Sequence, residues 1–325
     1  MILLWGLAQD PSTQAVRRWL SRWNAEVFFL NHADIYRTEV SMTTEPRLSF
    51  EVTCRGESCR LEECQAAYLR PYNYRDYPPP EAPSLAPSNP VMVHHLISAW
   101  AEYTPALVIS RPSAEGTNQS KLYQAGEIRA SGFLTPESLV TNDPSEVREF
   151  RARHGSLIYK SMSNVRSVVK EVAIEDLDGK VLGPVQFQQR IAGQNIRVHV
   201  VGDDCFACAI ETEGTDYRYA PSRMTSITLP YDVAQRAVAL TRRLGLYLAG
   251  LDLILTPSAE WYCLEANPNP AFASFGHADA IAQAVARLLM AAPEPAYLAQ
   301  KTARPPLNGT GPMGRNYAVL REKTC

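Results

Sequence analysis

The sequence predicts a mixed fold of helices and strands, an α/β protein with α+β character. The chain opens with a strand, a helix and a second strand, and helices continue to alternate with strands along most of its length. The last third instead carries antiparallel hairpins, of which the clearest joins residues 196–201 to residues 205–211. With 325 residues the chain is long enough for two or three compact units, each with its own core.

Composition narrows the class of protein. Hydrophobic residues make up 46% of the chain, charged residues 20%, and the net charge is -2, as in a soluble globular protein without a strongly basic face. We therefore expect no nucleic-acid partner and no membrane surface as partner. No apolar run reaches the ~18 residues of a membrane-spanning helix, and the apolar start lacks a basic leader, so it is interpreted as a strand. The seven scattered cysteines favour a reducing, cytoplasmic setting.

The first predicted unit spans residues 1–104. Strands at 2–7 and 26–30 flank a helix at 15–23, for which Asp10 and Pro11 supply the capping and first-turn chemistry. Further along the chain, residues 48–54 and 59–61 form a short predicted hairpin. No glycine-rich phosphate loop follows the first strand, so we do not expect this unit to bind a nucleotide. Cys54, Cys59 and Cys64 lack the spacing of a zinc site and have no nearby histidine, so we do not expect them to bind zinc.

The predicted hairpin at residues 249–268 carries two acids in otherwise apolar strands. If residues 257–260 form the loop, then Thr256 faces Trp261 and Asp252 faces Glu265, while Asn267 shares the face of Glu265. Carboxylates directly opposite each other destabilise a sheet, and a hard cation such as Mg²⁺ would remove that cost. The sequence therefore predicts a metal site here, with a solvated hairpin edge as the alternative.

Several basic residues upstream have the character of anion ligands. Lys160 ends an apolar strand and precedes a polar turn that contains Ser163, an arrangement that suits a phosphate group. Lys121, near the start of a predicted helix, supplies a second charge. The alternative for both is a solvated surface lysine.

Three arginines lie in or beside apolar strands, where a buried guanidinium needs a carboxylate or phosphate partner: Arg166, Arg197 and Arg218. Alternation along the strand puts Arg197 on one face together with Asn195 and His199. The alternative for Asn195, Arg197 and His199 is that they form an ordinary polar, solvent-facing side of the strand.

Taken in order, these segments resemble the motifs of the ATP-grasp ligases, with the closest likeness to the ribosomal-protein glutamate ligases and the microviridin-type peptide-modifying ligases. The likeness covers residues 105–290. The residues that carry it are Ser120-Lys121 with 130–141, Ile158-Tyr159-Lys160, 186–191, Asn195-Ile196-Arg197-Val198, Gly250-Leu251-Asp252 and 264–268.

The resemblance implies an ATP-grasp fold behind a small N-terminal domain at 1–104. Its central subdomain would span 105–187 and its C-terminal subdomain 188–292, with the nucleotide between them and a flexible tail at 293–325. It also implies ATP and Mg²⁺, or Mn²⁺, as cofactors, and a substrate carboxylate that attacks the γ-phosphate before an amine or hydroxyl displaces phosphate. The implied substrate is a peptide or an amino acid, and a homodimer stays open.

The same resemblance assigns roles to positions. It implies that Lys121 and Lys160 hold phosphates, that Gln188, Gln189 and Ile191 form the adenine-binding hinge, and that Asn195 contacts the ribose. Asp252, Glu265 and Asn267 match the metal ligands, and Arg197 matches an arginine that stabilises the transferring phosphoryl group. Arg218 is a candidate for the same cluster, and Ser163 and Arg166 are candidates for phosphate contacts.

Two alternatives stay open at this point. The segment after Lys160 has no glycine where such ligases usually have a glycine-rich loop, which favours a nucleotide- or peptide-binding module without catalysis as a second hypothesis. Within the ligase hypothesis, free amino acids or a small-molecule acid and amine are the alternative to a peptide.

Overall fold

The computed structural model describes residues 1–45, 49–73, 89–160, 170–171, 184–212 and 222–293. Its strands form four sheets, flanked by helices. Within these residues no helix combines the length and the apolar character that crossing a bilayer requires. Three of the predicted site residues lie outside the described part of the chain: Ser163, Arg166 and Arg218. The segment 294–325 lies outside it as well.

The first sheet is parallel and has the strand order β2-β1-β6-β7. Its strands are β1 (Ile2–Gly6), β2 (Val27–Asn31), β6 (Ala66–Leu69) and β7 (Leu107–Ile109), and its helices are α1 (Pro11–Arg22) and α2 (Pro90–Tyr103). Every residue of β1 is buried because both faces of the sheet are covered, as is usual for parallel sheets. Ile2 and Leu4 pack towards α1, whereas Leu3 and Trp5 pack towards α2.

A small antiparallel sheet, β3 (Thr38–Thr43), β4 (Ser49–Cys54) and β5 (Glu57–Arg60), extends this unit. The predicted hairpin corresponds to β4 and β5, and β3 is a third strand that the sequence analysis did not identify. Cys54, Cys59 and Cys64 are buried in the core between this sheet and α2, with the sulfurs of Cys59 and Cys64 3.8 Å apart.

The second sheet is antiparallel and has the order β10-β9-β11-β8. It comprises β8 (Ser138–Thr141), β9 (Leu157–Lys160), β10 (Lys170–Glu171) and β11 (Val185–Gln189). Helix α5 (Pro144–His154) packs Val147 and Phe150 against this sheet. Two further helices, α3 (Pro112–Glu115) and α4 (Lys121–Ala130), connect the first sheet to the second.

The third sheet is antiparallel, with the order β14-β13-β12-β15-β16. Its strands are β12 (Gln194–Val201), β13 (Asp204–Thr212), β14 (Ser222–Ile227), β15 (Leu248–Leu255) and β16 (Trp261–Asn267). Helix α6 (Tyr231–Arg243) covers one face of the sheet, and the loop 268–277 with Phe272 and Phe275 lies over the other. Helix α7 (Ala278–Met290) follows this loop and packs on α1, where Trp19 Nε1 donates to Asp279 Oδ1.

Candidate active site

A row of charged side chains crosses the third sheet at right angles to its strands. Arg197 on β12 pairs with Asp252 on β15, and Asp252 pairs with Glu265 on β16. The guanidinium Nη1 of Arg197 donates to Asp252 Oδ1 at 2.8 Å. Arg197 is therefore partnered by a carboxylate, as the sequence argument required for a buried arginine. It also offsets part of the repulsion between the two facing acids.

The predicted pairing of Asp252 with Glu265 is confirmed, but the predicted register at the tip of the hairpin is wrong. Leu255, not Thr256, pairs with Trp261, because Ala259 adopts a left-handed conformation with φ 61° and tightens the turn. A bulge then adds one residue to β16 at Leu264, and this shifts the register by one between Asp252 and Leu253. The bulge restores the opposition of the two acids.

The face that carries Arg197 is covered and is not an ordinary solvated face. Arg197 is 5% exposed and His199 2% exposed, and the guanidinium of Arg197 lies 5.6 Å from the centre of the Phe275 ring. Burial, together with the positive charge on Arg197 and the neighbouring His277, holds the pKa of His199 well below its usual range. His199 is therefore neutral at physiological pH and adds no positive charge beside Arg197.

Gly250 makes room for Arg197. A Cβ at position 250 would lie 2.0 Å from Arg197 Nη2 and 2.8 Å from the Cβ of Pro270, distances that no side chain tolerates. A residue with any side chain at position 250 would therefore displace either the guanidinium or the loop that contains Pro270.

Asn267 lies at the end of β16, opposite Gly250, and its side chain is oriented by its own loop. The backbone N–H of Asn269 donates to Asn267 Oδ1 at 2.9 Å. This contact fixes the direction of the amide group while leaving the second lone pair of Oδ1 as an acceptor.

Helix α4, which begins at Lys121, packs against the same hairpin. Lys121 is the first residue of α4, and Gln124, one turn later, is buried against β16. Gln124 Nε2 donates to the carbonyl of Ala266, and Gln124 Oε1 accepts from the N–H of Ala266, at 2.8 and 2.9 Å. This double hydrogen bond attaches α4 to the residue between Glu265 and Asn267.

The predicted hinge joins the second sheet to the third. Gln188 and Gln189 end β11, Ile191 follows in the connection, and Asn195 lies near the start of β12. The amide of Gln188 is buried and donates to Ser138 Oγ at 3.1 Å, so it supports the sheet. Gln189, Ile191 and Asn195 are half-buried. In the same sheet Lys160, the last residue of β9, pairs with Gln186 on β11.

Solved structures with this architecture cover nearly the whole chain. The macrocyclase MdnC from Microcystis aeruginosa MRC, bound with precursor peptide MdnA, is 19% identical with a TM-score of 0.75, over 89% of this chain and 99% of its own. A RiPP-associated ATP-grasp ligase from Chryseobacterium gregarium, in complex with ADP and a leader and core peptide, is 20% identical with a TM-score of 0.76, over 90% and 98%. The ATP-grasp ligase PsnB, complexed with minimal precursor, Mg and ADP, is 24% identical with a TM-score of 0.72, over 89% and 96%.

This chain has the ATP-grasp fold. The fold predicted from the ordered motifs is thereby confirmed. No family model matches the chain, and no curated protein matches it either. The evidence for its chemistry must therefore come from its own side chains.

The residues at the hairpin of this ATP-grasp fold fit a magnesium ion. Two carboxylates and an amide oxygen are hard oxygen donors, the ligand type that Mg²⁺ prefers alongside substrate phosphates. Asp252 and Glu265 face each other across β15 and β16, and Asn267 follows on the same face of β16. Within the described residues no group of three or more His, Cys, Asp or Glu side chains forms a metal site, and the hairpin offers two carboxylates and one amide.

The sequence analysis missed three residues around this hairpin, Arg70, Gln124 and Gly250, and also Glu115, whose carboxylate interacts with the charge of Arg70. Arg70 ends an apolar segment, so the rule that singled out Arg197 should have included it. Gly250 was noted as part of a motif. Nothing in the sequence indicates that the guanidinium of Arg197 occupies the space that a side chain at position 250 would need. Gln124 and Glu115 carry no sequence signal, because their partners are distant along the chain.

Proposed function

We propose that this protein is an ATP-dependent ligase that joins a carboxylate to an amine, or to a hydroxyl, and that its substrate is a peptide. The observation that carries the proposal is the row of Arg197, Asp252 and Glu265 on an ATP-grasp fold. A binding module without catalysis has no need of two acids held face to face beside an arginine.

The proposed reaction has two steps. The substrate carboxylate attacks the γ-phosphorus of ATP, forming an acyl phosphate and releasing ADP. The amine or hydroxyl then attacks the acyl carbon, phosphate leaves, and the attacking group loses its proton. The net result is one amide or ester, one ADP and one phosphate for each ATP consumed.

Each proposed role follows from where the side chain lies. Asp252, Glu265 and Asn267 hold Mg²⁺, which neutralises phosphate charge when it is bound. Arg197, fixed by Asp252, directs positive charge towards the transferring phosphoryl group.

The remaining predicted roles concern the nucleotide. We propose that Lys121 and Lys160 neutralise phosphates, that Gln189 and Ile191 contact adenine through the hinge backbone, and that Asn195 contacts the ribose. Gln188 has a supporting role because Ser138 occupies its amide. Ser163, Arg166 and Arg218 keep the roles that the resemblance implied.

The choice of a peptide is supported by the peptides named in the three complexes with leader, core or precursor segments and by the near-complete coverage of those chains. A cytoplasmic setting is supported by the seven cysteines scattered along the sequence, an odd number in a long chain, as is usual for proteins of reducing compartments.

The test is turnover with ATP, Mg²⁺ and any short peptide found to be encoded beside the gene for this chain. We expect ADP release together with the loss of one water from the peptide for each bond formed, followed by coupled spectrophotometry and mass spectrometry. Asp252→Ala and Glu265→Ala should each lower turnover roughly 100-fold or more. Glu260→Ala, an exposed acid at the tip of the same hairpin, is the matched control and should retain activity.

The other outcomes identify the alternatives. ADP release with free amino acids but with none of the peptides would favour a small-molecule ligase. ADP binding without turnover on either class would favour a nucleotide-binding module. Undiminished turnover in Asp252→Ala would contradict the assignment of the metal ligands.

A further inference from the structure

Arg70 connects the first sheet to the loop that follows the hairpin. It lies directly after β6, and its side chain is 6% exposed. Its Nε donates to Asp10 Oδ2 at 3.2 Å, and its Nη1 donates both to Asn269 Oδ1 and to the carbonyl of Pro270, the latter at 3.0 Å. One buried guanidinium thus bridges two parts of the chain that are almost 200 positions apart.

The sheet end of this bridge is rigid. Asp10 caps helix α1 by accepting a hydrogen bond from the N–H of Thr13. Its carboxylate also accepts hydrogen bonds from the hydroxyl groups of Thr13 and Tyr72. With several donors on one carboxylate, the position of Arg70 is fixed by its own domain.

The loop end of the bridge leads directly to the candidate metal site. The N–H of Asn269 orients the Oδ1 of Asn267, and Pro270 packs over Gly250 beside Arg197. Ser110, after β7, adds a second contact from the first sheet by donating to the carbonyl of Pro268 at 3.1 Å. The orientation of the Asn267 amide therefore depends on a loop that the N-terminal domain holds in place.

We infer that Arg70 is a positioning residue for magnesium, acting through Asn269 on Asn267. This inference rests on the proposed function, because it assumes that Asn267 binds Mg²⁺ with the nucleotide. It gives the N-terminal domain a part in the chemistry although that domain contributes none of the predicted ligands. Outer partners that orient a metal ligand typically change metal affinity 10- to 100-fold when they are removed.

The experiment measures ADP binding by calorimetry with Mg²⁺ and again with a chelator. A merely structural role for Arg70 would leave the ratio of the two affinities unchanged, whereas a positioning role lowers the affinity with Mg²⁺ alone. Asn269→Ala tests the bridge without breaking the ion pair of Arg70 with Asp10. We expect it to lower the gain from Mg²⁺ about 10-fold and to leave the affinity in chelator unchanged.

Arg70→Met should reduce the gain more than Asn269→Ala does, because it also removes the hydrogen bond to the carbonyl of Pro270. Adding Asn269→Ala to Arg70→Met should cause little further loss, because Arg70→Met has already removed the contact with Asn269. Tyr72→Phe is the matched control. It removes another hydrogen bond to Asp10 without a contact to the loop, so it should leave the gain from Mg²⁺ unchanged.

The outcomes separate the two proposals. A wild-type protein that does not bind ADP with Mg²⁺ would overturn the proposed function and this inference together. A wild-type protein that binds, with an undiminished gain from Mg²⁺ in Asn269→Ala, would overturn the positioning role alone. If Arg70→Met does not fold, Asn269→Ala still decides the question, because its buried ion pair is intact.

Discussion

Two buried arginine–aspartate pairs, Arg70 with Asp10 and Arg197 with Asp252, have similar geometry and different surroundings. The shortest N–O distances are 3.2 and 2.8 Å, and both arginine side chains are 6% exposed. The acids differ, because the side chain of Asp10 is 5% exposed and that of Asp252 is 18% exposed. The first pair is closed off from solvent, and the second is open on the side of its carboxylate.

The balance of charge differs as well. Asp10 faces one guanidinium and is further hydrogen-bonded by Thr13 and Tyr72. In the row across the third sheet, Asp252 lies between the guanidinium of Arg197 and a second acid, since Glu265 faces it. A closed, neutral pair stabilises packing, whereas an open pair with a second acid attracts a cation. The difference separates a structural ion pair from a binding site.

The largest expected effect is on the free energy of unfolding, when the aspartate of each pair is replaced by asparagine. Burial favours the neutral form of Asp10, but Arg70 and the hydrogen bonds from Thr13 and Tyr72 outweigh it and keep the pKa of Asp10 below its usual value. Asp10→Asn removes the carboxylate that is hydrogen-bonded to the buried guanidinium of Arg70, so we expect a loss of about 3–5 kcal/mol in the free energy of unfolding. Asp252→Asn should cost less than half of that, because the side chain of Asp252 is 18% exposed and water reaches this pair from the side of the carboxylate.

Urea denaturation measures both free energies, and ADP binding with Mg²⁺ provides the reverse comparison. Asp252→Asn should weaken this binding, whereas Asp10→Asn, where it stays folded, should affect it less. Equal losses of stability in the two variants would remove the distinction between the closed and the open pair.

The second prediction concerns Glu115, an acid near Arg70 that the closed pair leaves uncompensated. Burial raises the pKa of Glu115 to about 7, and the charge of Arg70 offsets this only in part. Below pH 4.5 the acid is protonated in both states. As the pH rises to about 7 the unfolded chain ionises first, so stability falls by roughly 3 kcal/mol.

Glu115→Gln removes this titration. Relative to wild type, the variant should gain about 3 kcal/mol more at pH 8 than at pH 4.5, as measured by urea denaturation at the two values. If the free energies of unfolding of the two proteins differ by the same amount across this range, Arg70 stabilises the ionised form of Glu115 as well as that of Asp10. That result would contradict the closed pair described above.

The third prediction tests the space around the open pair. Gly250→Ala places a methyl group 2.0 Å from Arg197 Nη2, so the guanidinium or the Pro270 loop must move. We expect a loss of about 1–3 kcal/mol in unfolding free energy, together with weaker binding of ADP with Mg²⁺. Gly126→Ala is the control, since position 126 in α4 has open space, and it should gain about 0.5–1 kcal/mol. Unchanged stability in Gly250→Ala would mean that Arg197 is not confined.

The hairpin shows which features the sequence predicts and which it does not. The fold and the opposition of Asp252 and Glu265 were predictable, because alternating apolar residues and ordered motifs are local signals. The tip register was not, because it depends on the left-handed Ala259, and the bulge at Leu264 then corrected the pairing. Neither feature is encoded by a glycine or another residue that marks it.

The contacts around the hairpin were less predictable for a different reason. Arg70 and Asn269, or Gln124 and Ala266, are separated by 199 and 142 positions, and only the folded chain brings them together. Sequence patterns indicate which residues need a partner, as they did for Arg197. They do not say which distant residue provides it.

The last prediction concerns the contact between helix α4 and strand β16, next to Asp252 and Arg197. Gln124→Leu keeps the buried volume but leaves the N–H and carbonyl of Ala266 without their partners, which should cost about 1–3 kcal/mol in unfolding free energy. Because Lys121 begins the helix that this contact attaches to β16, and because we propose that it neutralises phosphates, the affinity for ADP should fall with Mg²⁺ and in chelator alike. Gln14→Leu, which removes one exposed hydrogen bond to Ala8, should cost less than about 0.5 kcal/mol. If the loss of affinity in Gln124→Leu were confined to the measurement with Mg²⁺, α4 would act on the metal ligands and not on the phosphates, and the role proposed for Lys121 would be wrong.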